Sequence, residues 1–149
     1  MKIELKRIKS YDDVSSGWIV ISDGERTREL ECFWRTDIGC MTKGCKELPG
    51  GDAKIKYKMI PPYRLSFIIC VNLRVHFRVL PLEVLDYGRL GGDIMIRNKD
   101  GSRMEVADYT ALAMTMQHNG VDAITIDAER KRMVGNMLER GTEEYRRFD

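Results

Sequence analysis

Apolar and polar residues alternate along much of the first two thirds of the chain, and that period of two predicts strands. In KIELKRI, Ile3 and Leu5 fall on one face, with Lys2, Glu4 and Lys6 on the other. In GWIVISDGERTRELECFW, two apolar runs flank Asp23-Gly24, a pair suited to the positive φ of a tight hairpin. Leu30, Cys32 and Trp34 share one face of the second run. Strand character returns in AKIKYKMI and stops at Pro61-Pro62, since proline cannot donate to a ladder. YRLSFIICVNLRVHFRVLP begins continuously apolar and then alternates; it is too long for one strand and predicts a bend near Asn72. PLEVLDYGRLGG reads as a short helical turn, and DIMIRNKDGSRMEV as a second hairpin turning at Asp100-Gly101.

The period changes in the last third. From Asp108, a favoured N-cap residue, Tyr109, Leu112, Ala113 and Met116 recur on one helical face as far as the Asn119-Gly120 stop. VDAITID is a short β-like run. Asp127 can then cap a second helix with Met133, Val134, Met137 and Leu138 inside and Gly141 at its end. Strands first and helices last predict an α+β fold: a mainly antiparallel sheet built from hairpins, packed against two C-terminal helices, in one domain over 1–149.

Composition agrees with a folded chain. Of 149 residues, 43% are hydrophobic and 32% charged, which supplies one core and a well-solvated surface. No apolar run is long enough to span a membrane, and the alternating N-terminus lacks the apolar stretch of a signal peptide, so a cytoplasmic protein without a membrane partner is expected.

Chemistry is sparse. Three of the four cysteines fall in ECFWRTDIGCMTKGC, but the spacing Cys32-x7-Cys40-x4-Cys45 contains no C-x-x-C pair, and a fourth ligand would have to be Cys70, His76 or His118. Cys32 and Cys70 lie in apolar runs where a thiol acts as a small hydrophobe, so only Cys40 and Cys45, in the Gly- and Pro-rich stretch 36–52, are placed to react. Free thiols are expected, with zinc and a disulfide as alternatives, and neither metal nor cofactor is assigned. His118 sits at a helix end, where it suits the dipole. The glycines of YGRLGGD match no phosphate-binding loop, and no hydrolase or metalloprotease motif occurs, so no catalytic residue is assigned.

The segment VADYTALAMTMQHNGVDAITIDAERKRMV resembles the end of a PIN-type nuclease domain. The resemblance covers about 30 residues and implies that Asp108 and Asp127 bind metal, whereas the first strand carries Glu4 where that family has Asp. Both acids also read as helix N-caps, and that reading is preferred.

Charge distribution carries the main functional expectation. The net charge is only +2, but residues 53–82 contain no acid and hold Lys54, Lys56, Lys58, Arg64, Arg74 and Arg78. Side-chain alternation puts Lys54, Lys56 and Lys58 in one row and Arg74, His76 and Arg78 in another, which would form a basic patch if the two strands were neighbours. The expected function is a non-enzymatic binding module that grips an anionic partner, nucleic acid or a nucleotide-like ligand, through these six residues. A module that binds or inhibits another protein is the alternative, suggested by nine methionines and the stretch 36–52. A metal-dependent nuclease using Asp108 and Asp127 is the third.

Overall fold

A computed structural model describes residues 1–10, 14–35, 48–81 and 93–127. Among these described residues, eight strands and one helix follow one another as β1 (Lys2–Ser10), β2 (Val14–Asp23), β3 (Arg26–Arg35), β4 (Gly51–Ile60), β5 (Tyr63–Cys70), β6 (His76–Pro81), β7 (Asp93–Asn98), α1 (Val106–His118) and β8 (Ala123–Ile126). The strands close into a barrel in the order β1-β2-β3-β7-β6-β5-β4-β8. This corrects the expected α+β sheet covered by two helices. The sheet curls onto itself, and two of its pairings, β1 with β8 and β6 with β7, are parallel rather than antiparallel. The expected second helix after Asp127, the helical turn in PLEVLDYGRLGG, and Cys40 and Cys45 lie outside the described residues.

Local chemistry explains the turns and corrects one expectation: the chain turns at Asp100-Gly101, but no strand follows and it runs on into α1, so the second hairpin expected there is not formed. Gly24 and Gly101 take φ values of 62° and 85°, which a side chain would resist, at the β2–β3 turn and at the turn between β7 and α1. The Pro61-Pro62 turn joins β4 to β5 and contains a cis peptide bond. At the predicted bend, the Asn72 side-chain oxygen accepts from the backbone N–H groups of Arg74 and Val75 at 2.8 and 2.9 Å, an Asx-type turn. The turn separates β5 from β6.

Inward-facing side chains form one core. Ile3 and Leu5 of β1, Ile19 and Ile21 of β2, Leu30, Cys32 and Trp34 of β3, Phe67 and Ile69 of β5, and Ile94 and Ile96 of β7 all contribute. The register puts the β2–β3 turn, the start of β1 and the turn between β4 and β5 at the same end of the barrel. Helix α1 packs across this end. Its buried Tyr109, Leu112, Ala113 and Met116 are the face expected from the sequence, and they join the core. The helix begins earlier than expected, with Glu105 as N-cap, so Asp108 lies inside its first turn instead of capping it. There its charge still suits the helix dipole.

Tyr109 ties the helix to the wall. Its hydroxyl donates to the Val79 carbonyl and accepts from the Phe67 N–H at 3.2 Å, so it bridges two adjacent strands. Its ring meets Tyr63 edge-on at 5.0 Å and stacks with Phe67 at 6.0 Å. Burial raises its pKa, so the hydroxyl stays a donor. Tyr109→Phe is expected to cost about 1–3 kcal/mol, because two buried backbone groups lose a partner while the ring contacts survive. Urea denaturation measures the loss.

The opposite end is closed by Arg7. Its side chain is buried, lies over the Trp34 ring at 5.6 Å, and donates to the Leu48 and Asp127 carbonyls, the latter at 3.0 Å. The Asp127 carboxylate accepts from the Arg7 backbone N–H at 3.0 Å.

Candidate functional site

Strand β4 carries the basic residues. Its alternation sends Ala53 and Ile55 into the core and leaves Lys54, Lys56 and Lys58 exposed on the outer wall. Tyr57 faces the other way, and its hydroxyl donates to the Val121 carbonyl at 2.6 Å. Burial, reinforced by Asp122, pushes its pKa up to about 12. Among the described residues, no carboxylate forms an ion pair with any of the three lysines.

The second expected row divides. His76 and Arg78 are exposed on the outer face of β6, but Arg74 belongs to the Asn72 turn and is not in the strand. Strand β5 runs between β4 and β6, so Ile68 separates Lys56 from Arg78 and Cys70 separates Lys54 from His76. Two strand spacings put the rows about 10 Å apart. Arg78 is also paired. Its guanidinium makes two hydrogen bonds to Asp93, at 2.9 and 2.7 Å, and this carboxylate raises its pKa. Asp93 lies outside the acid-free segment and reaches Arg78 because β7 pairs with β6 in parallel, a contact that local pattern could not reveal. The positive surface is therefore centred on β4, with His76 at its margin.

Beside Lys54 and Lys56 lies a depression of about 490 Å³, walled by the end of β5, the Asn72 turn and the start of β8. Sequence reasoning missed Asp52, Asn72 and Leu73, which also line it. Asp52 follows the same outward alternation as the lysines, and Asn72 could have been found through the turn it was expected to mark. Burial raises the Cys70 pKa, and Lys56 acts in the opposite direction.

The remaining candidates are dispersed. A larger depression, about 620 Å³, lies between α1 and the β2–β3 hairpin, where Arg26 and Arg28 are balanced by Asp23 and Asp108. Asp108 is at the helix-covered end of the barrel and Asp127 at the Arg7 end, so the two acids do not converge on one metal. Among the described residues there is no group of three potential metal ligands. Cys32 and Cys70 are free and buried, and burial pushes the Cys32 thiol up, which makes it a poor nucleophile. His118 is exposed in the last turn of α1. Met95, Met104 and Met116 are buried, while Met59 and Met114 are exposed on separate elements. No helix among the described residues is long and apolar enough to cross a membrane. Comparison of the chain with protein-family models, curated proteins and solved structures found no match.

Proposed function

We propose that the protein is a non-enzymatic binding module whose β4 face holds an anionic partner, nucleic acid or a nucleotide-like ligand, by contacts to phosphate. The observation that carries this reading is the row of Lys54, Lys56 and Lys58, exposed and without ion pairs to described carboxylates. Like charges along one strand face repel, and an anion relieves that repulsion. His76 and the outer edge of Arg78 extend the surface, with Arg74 in the adjoining turn. The reading places the protein in the cytoplasm, where the thiols of Cys32 and Cys70 stay reduced.

A salt titration tests it. Binding of labelled oligonucleotides and nucleotides should weaken as salt rises, because each phosphate contact releases counterions. For an oligonucleotide, Lys56→Ala should lower the slope of log affinity against log salt by about one. Lys99, paired with Glu29 at 3.1 Å, is the control, and Lys99→Ala should leave binding unchanged. If no oligonucleotide or nucleotide binds at low salt, the basic-face reading fails and a protein partner becomes the better proposal.

A further inference from the structure

We infer that the ligand of this surface is a mononucleotide-sized organic phosphate seated in the depression beside Lys54 and Lys56, rather than a nucleic-acid strand laid along the wall. This inference rests on the anion-binding reading of β4.

Three kinds of group meet in the depression. Lys54 and Lys56 supply positive charge. Asn72 spends its side-chain oxygen on the turn, which leaves its amide N–H groups without a partner among the described residues. These are the donors a phosphate needs. Asp52 supplies the opposite chemistry. One of its oxygens accepts from the Thr125 hydroxyl at 3.1 Å, and the other has no donor among the described residues. A lone carboxylate beside two lysines repels a second phosphate but accepts hydrogen bonds from sugar hydroxyls. Val71, Leu73 and Ala123 complete the lining with apolar surface. Leu73 is 93% exposed, a large apolar side chain held at the rim by a fixed turn, and a planar base would cover it. Phosphate, hydroxylated ring and base thus each have a matching wall, and about 490 Å³ falls within the ordinary range of small-ligand sites.

A polymer fits less well. From Lys54 to Lys58 the row is only about 13 Å long at strand spacing. Beyond it, Asp93 neutralises Arg78 on one side, and on the other Lys2 is paired with Glu4 at 2.8 Å. Single-strand binding also relies on exposed aromatic rings for stacking. Near β4, the Tyr57 hydroxyl is tied to Val121 and Tyr63 is buried.

Calorimetric titration of the full chain with adenosine monophosphate, ribose 5-phosphate, inorganic phosphate and an oligothymidylate tests this. Adenosine monophosphate should bind more tightly than either smaller phosphate. Lys54→Ala and Lys56→Ala should each weaken it about tenfold, as loss of a charge-assisted hydrogen bond predicts. Leu73→Ser should also weaken it, and Lys99→Ala, in the turn after β7 and paired with Glu29, should not. Inorganic phosphate binding as tightly as the nucleotide would overturn the inference, because the apolar wall would then contribute nothing. Tighter binding of the oligothymidylate, with Lys58→Ala as harmful as Lys56→Ala, would overturn it in favour of a strand on the wall while sparing the anion-binding reading. Failure of all four probes to bind would overturn both.

Discussion

Replacing Arg97 with Met is expected to destabilise the fold by about 3–5 kcal/mol, the usual consequence of removing one partner from a buried ion pair. Arg97 and Glu31 are directly opposite each other on β7 and β3, and their side chains are only 3% and 6% exposed. The Arg97 Nε donates to the Glu31 carboxylate at 2.8 Å, and the guanidinium lies 4.9 Å from the centre of the Phe33 ring. The variant keeps the side-chain volume but leaves a carboxylate buried without its cation. Glu31→Gln should cost less, because a neutral amide still accepts from the guanidinium. Combining Arg97→Met with Glu31→Leu should recover most of the loss, since an apolar pair of similar volume carries no desolvation penalty. Urea denaturation of the three variants measures these differences. A loss below about 1 kcal/mol for Arg97→Met, the value of an exposed pair, would contradict the burial of this site.

Gly17→Ala should also be costly, by about 1–3 kcal/mol or more. A Cβ at Gly17 would stand well inside van der Waals distance of the Lys6 carbonyl oxygen, which belongs to the neighbouring strand β1. Backbone cannot rotate aside as a long side chain can. The pairing register of β1 shifts between Arg7 and Lys9, just beyond this close approach, so the strain falls where β1 turns its buried Arg7 toward the core. Thermal and urea melts of Gly17→Ala against wild type measure the cost. Unchanged stability would mean that β1 and β2 do not approach each other as described.

Both effects arise from pairings that were only partly legible in the sequence. The β2–β3 hairpin could be read from Asp23-Gly24 and its flanking alternation, because a two-residue turn fixes the register of adjacent strands. The buried face of α1 could be read from its 3.6-residue period. Closure of the barrel could not. It depends on β1 meeting β8 and on β3 meeting β7, pairings between strands far apart in the chain that leave no local periodic mark. Burial on both faces of β3 was equally hidden, since Glu31 and Phe33 stand on the outer side of a strand whose inner side already explained Leu30, Cys32 and Trp34.

The candidate site followed the same rule. The lysine row of β4 depends only on alternation within one strand. The arginine row depended on which strands are neighbours, and there the expectation failed: β5 intervenes, Arg74 turns away, and Asp93 pairs with Arg78 from β7.

Binding of an organic phosphate beside Lys54 and Lys56 is read most directly from an amide chemical-shift map of the protein titrated with adenosine monophosphate. The predicted result is a saturable set of shifts confined to residues 52–56, 70–73 and 123. Shifts that gather instead at the β2–β3 hairpin and α1, or no saturable shifts at all, would contradict it.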